Sequence, residues 1–258
     1  MSWAAYAPDL SARLPELLRL FKTGLYRAPP VRRVYIPKGK DGQRPLGIPT
    51  IEDKLLQRSV VSLLEPIYEL EFKDFSYGFR PNRSAHQALE HLFGSVSFEG
   101  MRYLIDADLA DYYGSIDHGE LRNMLDLRVK DGVVRRIIGK WMKAGVLEEG
   151  RHAYSNQGTP QGGIISPLLG NIYLHYVLDV WFSDDIQPLL KGKSFICRYA
   201  DDFVLGFEHK EDAIRVLEVL PKRLGKYGLK LHADKTKLLD LNSPDRGKRS
   251  FDFLGFTH

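Results

Sequence analysis

The chain has very little cysteine: Cys197 is the one cysteine among 258 residues. This excludes a disulfide framework and a cysteine-based zinc site, and it fits a reducing compartment. Apolar runs of about 18 residues are also missing, so the sequence predicts no membrane span. The first ten residues, MSWAAYAPDL, lack the basic start and apolar stretch of a secretory signal. With 43% hydrophobic residues the chain can bury a core, so disorder is disfavoured.

Charge is distributed unevenly around the net value of +4. Residues 26–58 hold eight Lys or Arg against three Asp or Glu, and residues 222–249 hold nine against three. Residues 101–126 hold six carboxylates against two arginines. Solvated surface is the simpler interpretation of any one charge run. Two basic segments around an acidic centre nevertheless favour a polyanion held near a metal site.

Apolar periodicity and turn residues predict an α+β fold with a mainly antiparallel sheet, because helices and strands mix without regular βαβ alternation. Helices are predicted over 11–22, from Ile51 to Pro66, from Ser84 onward, over 117–128, from Asp131, over 166–182 and over 210–224. Strands are predicted as a hairpin over 31–49, over 101–109, as a second hairpin over 194–207, and near 229–232, 236–241 and 251–256.

Three carboxylates, Asp108, Asp201 and Asp202, stand at the ends of predicted strands. Strand alternation places Asp106 and Asp108 on one face, and Asp201 with Asp202 separates two apolar half-strands. A plain turn is one interpretation, since Asp favours turns. Adjacent carboxylates repel each other, however, and oxygen ligands suit Mg²⁺ rather than zinc. If the two strands are neighbours, the site suits a two-metal phosphoryl displacement; the spacing alone leaves both interpretations open.

The wider motif set is more specific than any one of its parts. In order it comprises VYIPK (34–38), RPLGIP (44–49), SYGFRP (76–81), DLADYYGSIDH (108–118), GTPQGGIISPLL (158–169), RYADD (198–202), KT (235–236) and FLGF (253–256). In this order the sequence resembles the reverse transcriptases encoded by group II introns, from about Leu17 to its last residue. The block ending in SPLL favours that group over diversity-generating retroelements, while CRISPR-associated reverse transcriptases share these blocks and stay open.

The resemblance implies the fingers and palm of a right-hand polymerase. Fingers are expected over 1–100, with a short N-terminal helix, and the palm over 101–258, with a fingers-related insertion near 118–155. The palm is expected to be an antiparallel sheet packed on helices that ends at a primer-grip hairpin. No thumb is expected in the chain, so poor processivity is anticipated.

The resemblance also implies catalytic roles. Asp108 and Asp201 match the carboxylates that hold two Mg²⁺ ions, with the Leu109 carbonyl completing a metal shell and Asp202 in support. Lys235 matches a lysine that acts as general acid towards pyrophosphate, although a lone exposed lysine is the simpler alternative.

Nucleotide contacts are implied for Lys38, Arg44, Tyr113 and Gln161. Tyr113 matches the aromatic gate that selects deoxynucleotides, but the family usually reads Phe-Phe-Asp where this chain has Tyr-Tyr-Gly, so the strictness of sugar selection is open. Without the motifs, the same residues would be an exposed hairpin, a loop and a core aromatic. Template and primer contacts are implied for Arg32, Ile48, Gly162, Phe253, Leu254 and Gly255.

The leading hypothesis is therefore a Mg²⁺-dependent RNA-directed DNA polymerase that uses dNTPs, an RNA template and a primer. A second hypothesis is an intron-RNA-binding maturase, a splicing scaffold that forms a ribonucleoprotein with intron RNA. A CRISPR-associated reverse transcriptase and an inactive fragment are further alternatives. A bacterial cytoplasm without membrane contact is expected, and homodimerisation is open.

Overall fold

The computed structural model describes residues 3–38, 42–148, 151–153, 158, 162–245 and 250–257. These residues form two compact units, each built from two stretches of the chain: Met1–Tyr68 with Tyr113–Leu169, and Glu69–Tyr112 with Gly170–His258. The predicted boundary at residue 100 does not coincide with this division. Residues 69–100 belong to the second unit, because a helix over Ala85–Phe98 packs on its sheet.

The elements are numbered in chain order. The helices are α1 (Trp3–Tyr6), α2 (Leu10–Thr23), α3 (Ile51–Glu69), α4 (Ala85–Phe98), α5 (Tyr112–Ser115), α6 (His118–Arg128), α7 (Gly132–Lys143), α8 (Ser166–Leu174) and α9 (Lys210–Lys226). The strands are β1 (Val31–Lys38), β2 (Gly42–Ile48), β3 (Tyr103–Asp108), β4 (Val146–Glu148), β5 (Arg151–Ala153), β6 (Ser194–Tyr199), β7 (Asp202–Phe207), β8 (Lys237–Asp240), β9 (Asp252–Phe253) and β10 (Phe256–Thr257).

The first unit contains a four-stranded sheet in the order β2-β1-β4-β5. The predicted hairpin is confirmed as the antiparallel pair β1–β2, whereas β1 and β4 run parallel. Helix ends follow the predicted capping chemistry. Gly24 ends α2 in the left-handed conformation, with φ of 72°, and the side chains of Asp117 and Asp131 accept backbone N–H groups at the starts of α6 and α7.

The second unit contains an antiparallel four-stranded sheet in the order β6-β7-β3-β8. Its register places Leu104, Cys197, Val204 and Leu239 in one apolar cluster with residues of α4, whose start carries the predicted capping box of Ser84 and Gln87. Helix α9 contacts β3 and β7. The sheet is thus packed on helices, as expected for a polymerase palm.

Two predicted helix ends and one predicted strand were wrong. Helix α3 continues through Pro66 to Glu69, because Tyr68 is fully buried and one such side chain contributes about 1.5–3 kcal/mol, comparable to the cost of the proline. Helix α8 is followed by π-helical turns that extend to Ile186, beyond the predicted end at 182. Near 229–232 the described chain makes one bridge, from Leu231 to Leu109, instead of a strand.

No helix in the described ranges is long and apolar enough to cross a lipid bilayer.

Candidate active site

The predicted catalytic aspartates meet in the second unit. Strand β3 ends at Asp108 and strand β7 begins at Asp202, and the two Cα atoms are register partners. Asp201 lies in the two-residue connection between β6 and β7. The sheet therefore joins residues that stand more than 90 positions apart in the sequence.

Asp106 is a fourth carboxylate at this end of the sheet. It lies two residues before Asp108, on the same face of β3, and its register partner on β8 is Lys237. Strand alternation in the sequence predicts Asp106 on this face, but the motifs imply no role for it. Strand alternation was the signal, because residues i and i+2 share a face.

Crowding of carboxylates changes their acidity. Burial, reinforced by the neighbouring Asp106, Asp108 and Asp201, raises the pKa of Asp202 to about 7. Burial also raises the pKa of Asp106 to about 6, against the opposing effect of Lys237. Negative charge is therefore in excess at this end of the sheet, which is an environment that favours cation binding.

Lys235 supplies one such cation from the chain itself. Its ammonium group donates to the Asp108 carboxylate, and the two side chains form an ion pair. The backbone holds this contact in place, because the N–H of His232 donates to the carbonyl of Asp108 at 2.8 Å and that of Lys235 donates to the carbonyl of His232 at 3.1 Å. The predicted general acid thus lies beside a predicted metal ligand.

The predicted metal ligands are hard oxygen donors, but their side chains are not arranged as a preformed coordination site in the described residues. Within the described residues, no three His, Cys, Asp or Glu side chains are grouped so that they could hold a metal ion. One oxygen of Asp108 is occupied by Lys235. Leu109 follows directly and is fixed by its bridge to Leu231. The donor chemistry fits Mg²⁺, provided that Lys235 releases Asp108.

The turn of Asp201 is tightly packed. Ala200, which precedes it, has φ of 57°, a left-handed conformation that is costly for a residue with a side chain. Gly78 lies against this turn: a Cβ atom on Gly78 would be 2.4 Å from the backbone nitrogen of Ala200. The glycine of the SYGFRP motif is therefore required by close backbone contact with the turn.

The predicted primer-grip residues form the hairpin β9–β10. Phe253 is fully buried, and Leu254 and Gly255 both have positive φ, the sign pattern of a type I′ turn. The backbone N–H of Leu254 donates to the Asp202 carboxylate and lowers its pKa, against the larger effect of burial. The hairpin thus contacts the carboxylate cluster directly.

In the first unit, the predicted template residues Arg32 and Ile48 are brought together. They are register partners in the hairpin β1–β2 and line one cavity of about 590 Å³. Other lining residues include Arg13, Glu52 and Lys54, so the cavity has both polar and apolar walls and is mixed in charge.

Gly162 packs against strand β2. It has φ of 107°, and a Cβ atom there would lie 2.7 Å from the carbonyl oxygen of Gly47. At the other end of the same motif, the carbonyl of Gly158 contacts Nε2 of His118 at 2.6 Å. Tyr113 lies on α5, where its carbonyl is close to Gly158. His118 therefore holds the backbone of Gly158 in place.

Three predicted nucleotide contacts stay predictions. Gln161 lies outside the described residues. For Lys38 and Arg44 the structure describes the strand backbone. The Cα atom of Lys38 pairs with that of Gly42, and the Cα atom of Arg44 pairs with that of Ile36.

A second cavity in the first unit is strongly basic. It has a volume of about 620 Å³ and includes six cationic side chains in its lining: Arg27, Arg122, Arg135, Arg136, Lys140 and Lys143. Lys140 donates to the carbonyls of Gly24 and Tyr26, and Arg135 pairs with Asp126 at 3.2 Å. Three of these cations, Arg136, Lys140 and Lys143, recur on α7 at spacings of four and three residues and so share one helix face. This spacing is the signal in the sequence that was missed.

Comparison with known proteins places these features in a family. The model of the family "Reverse transcriptase (RNA-dependent DNA polymerase)" matches residues 36–258. The group II intron-encoded protein LtrA of Lactococcus lactis is 44% identical over 164 residues, which cover 63% of this chain and 27% of LtrA. Protein YkfC of Escherichia coli is 36% identical over 289 aligned positions, which cover 95% of this chain and 72% of YkfC.

Solved structures support the fold. Telomerase from Candida tropicalis, truncated from its C-terminal domain, matches with a TM-score of 0.65 and 15% identity, covering 92% of this chain and 56% of that chain. The chain spans about a quarter of the length of LtrA. The predicted resemblance is confirmed: the chain belongs to the reverse transcriptase (RNA-dependent DNA polymerase) family and is similar to the proteins encoded by group II introns.

Proposed function

We propose that the chain is the RNA-directed DNA polymerase region of a group II intron type reverse transcriptase. The reaction would transfer a nucleotide from a dNTP to the 3′-hydroxyl of a primer on an RNA template and release pyrophosphate. One observation carries the proposal: Asp108 and Asp202 are register partners beside the turn of Asp201, in a chain that matches the family over 36–258. We assign the first unit to the fingers and the second to the palm.

The excess of carboxylates supports a role in metal binding. Asp108, Asp201 and the Leu109 carbonyl would hold two Mg²⁺ ions, with Asp202 in support. When bound, these ions would supply positive charge to the attacking and leaving oxygens. Lys235, already paired with Asp108, would move to the pyrophosphate oxygen and donate a proton there.

Residues of the first unit would bind the substrates. Arg32 and Ile48 share a cavity that suits the template strand, and Gly162 lets the backbone approach the nascent base pair closely. Lys38 and Arg44 would neutralise the triphosphate, Gln161 would contact the nucleotide, and the ring of Tyr113 would exclude a ribose 2′-hydroxyl. In the second unit, Phe253, Leu254 and Gly255 would contact the primer.

Primer extension on an RNA template tests this function. Wild-type protein is expected to extend a DNA primer with Mg²⁺ and dNTPs, and much less with NTPs, while Asp201→Asn abolishes extension. Asp74→Asn is the matched control, because Asp74 is an exposed carboxylate paired with Arg83. Incorporation that survives Asp201→Asn unchanged, or that never occurs in the wild type, would contradict the proposal.

A second candidate function, binding of intron RNA, is favoured by the basic cavity. In the described part of the chain, the side chains of Arg27, Arg122, Arg136 and Lys143 make no ion pair with a carboxylate. Unpaired cations that line one cavity suit a run of RNA phosphates. This role is compatible with polymerisation.

Charge reversal separates the two functions. Arg136→Glu with Lys143→Glu should weaken RNA binding by about 10-fold or more and reduce its dependence on salt concentration. Arg215→Glu with Lys222→Glu changes the same charge on the exposed face of α9 and is the matched control. Equal losses of affinity in both pairs would show a nonspecific charge effect and contradict a role for the cavity.

A further inference from the structure

A buried arginine lies behind the turn that carries the catalytic aspartates. Arg198 on β6 is fully buried, and so is its partner Asp179 on the π-helical segment that follows α8. The guanidinium makes a two-pronged contact: Nε donates to Oδ1 of Asp179 at 2.7 Å and Nη2 to Oδ2 at 2.5 Å. This geometry fixes the plane of the guanidinium.

The remaining nitrogen of Arg198 reaches the turn. Nη1 donates to the carbonyl of Ala200 at 2.9 Å and to Oδ1 of Asn171 at 3.1 Å. Asn171, in turn, donates from Nδ2 to the carbonyl of Gly78 at 2.7 Å. One connected group of side chains therefore holds both the turn and the segment packed against it.

The segment 75–78, which packs against the turn, is also hydrogen-bonded to the backbone of Arg198. The N–H of Tyr77 donates to the Arg198 carbonyl, and the N–H of Arg198 donates to the carbonyl of Phe75, both at 2.9 Å. The conformation of Ala200 needs such support. A left-handed φ costs about 1–2 kcal/mol in a residue with a side chain and persists when its surroundings hold it.

A contribution to stability does not by itself explain the buried ion pair of Arg198 and Asp179. Replacing a buried ion pair by apolar side chains of similar volume is often neutral or stabilising, because two charges must lose their hydration. What apolar side chains cannot do is hold a backbone carbonyl in a chosen direction. The distinctive contribution of Arg198 is thus its directed hydrogen bond to Ala200.

We propose that Arg198, oriented by Asp179 and Asn171, is a positioning residue for the catalytic turn. It fixes the backbone of residues 200–202 and so the directions in which the carboxylates of Asp201 and Asp202 point. The kinetic consequences rest on the proposed polymerase function. Misplacing reacting groups by about 1 Å can cost about 100-fold in rate.

Arg198→Lys is the first test, because lysine keeps the charge but cannot make the forked contacts and reach Ala200 together. Primer extension should show kcat reduced about 10- to 100-fold, with the KM for dNTP changed less than about 2-fold. In protein without metal or nucleic acid, the amides of residues 199–203 should exchange with deuterium faster than in the wild type.

Arg223→Lys is the matched control. Arg223 donates to the carbonyls of Val177 and Tyr176, so the same substitution disturbs the same π-helical segment without contact to the turn. It is expected to lower Tm with kcat and exchange at residues 199–203 unchanged. If Arg198→Lys does not fold, the pair Arg198→Met with Asp179→Leu keeps the packing and should be folded but slow.

The outcomes separate this inference from the proposed function. A folded Arg198 variant with wild-type kcat and wild-type exchange at 199–203 overturns the positioning role, whatever its Tm. A wild type that extends no primer overturns the polymerase function instead. In that case the exchange comparison between Arg198→Lys and Arg223→Lys still decides whether Arg198 holds the turn.

Discussion

Asp108 and Asp202 face each other across the antiparallel pair of β3 and β7 as register partners. Like charges directly opposite each other destabilise a pair of strands. The sheet nevertheless places Asp106 beside them on the same face and Asp201 in the adjoining turn. An arrangement that costs the fold stability, at one end of a sheet that packs on an apolar cluster, is typical of a functional site.

The close contact between Gly78 and Ala200 predicts that a side chain at position 78 lowers both stability and activity. In Gly78→Ala the new Cβ would lie 2.4 Å from the backbone nitrogen of Ala200. Either the turn at Ala200 or the backbone around Gly78 must therefore move. We expect the free energy of unfolding to fall by about 1–3 kcal/mol, as measured by urea denaturation, and primer extension to fall with it.

Gly94→Ala is the control for this substitution. Gly94 lies within α4, and a Cβ atom there would meet nothing within 4 Å. Alanine should therefore stabilise the helix by about 0.5–1 kcal/mol and leave primer extension unchanged. Equal stability of the two alanine variants would mean that the Gly78 contact is not required.

The ion pair between Lys235 and Asp108 predicts opposite effects on metal dependence and rate. In Lys235→Met the carboxylate loses a competing cation, so half-maximal extension should need several-fold less Mg²⁺. The rate at saturating Mg²⁺ should fall by about 100-fold, because a general acid is lost. Titration of primer extension with Mg²⁺ measures both quantities.

Lys230→Met is the control for the loss of a lysine in the same segment, since the Lys230 side chain is exposed. Wild-type behaviour is expected. If Lys235→Met also keeps the wild-type rate and Mg²⁺ requirement, Lys235 is an ordinary surface lysine.

A buried carboxylate in the first unit predicts pH-dependent stability. Asp53 accepts hydrogen bonds from Tyr26 and Trp141 at 3.0 and 2.9 Å, and from Thr50 at 2.9 Å. Burial nevertheless raises its pKa above the ordinary value of 3.8. A raised pKa means that the folded state binds the proton more tightly, so this contribution to stability is present at low pH and lost as pH rises.

Asp53→Asn removes the titration and keeps the shape. The difference in unfolding free energy, wild type minus Asp53→Asn, should therefore be smaller at pH 7 than at pH 4. Urea denaturation at the two pH values measures it. A difference that grows towards pH 7 would show that the hydrogen bonds outweigh burial. Asp53→Ala, which leaves three donors unpaired, should be less stable than Asp53→Asn at both values by about 2 kcal/mol or more.

Local chemistry explains why several elements were predictable. The hairpin β1–β2, the cap of α4 at Ser84 and the end of α2 at Gly24 depend on neighbouring residues, and all three were confirmed. The end of α3 was not predictable in this way. A proline normally stops a helix, but here the complete burial of Tyr68 in the folded chain offsets that cost.

The burial of individual polar side chains could likewise not be predicted from neighbouring residues in the sequence. Asp53 reads as an ordinary acidic residue in the first turn of a helix, yet it is almost completely buried. Arg198 reads as one residue of the RYADD motif, yet its partners Asp179 and Asn171 carry no motif. Such pairs become visible when the fold brings separate elements together.

The sequence by itself determined the family, the order of the motifs and the three aspartates, because motif residues are read directly from the chain. It also determined where most helices and strands begin, since caps and alternation act over a few residues. The tertiary structure alone decided that Asp108 faces Asp202, that Lys235 reaches Asp108, and that Arg198 holds the turn at Ala200. These relationships depend on strand register and long-range packing, which no stretch of neighbouring residues encodes.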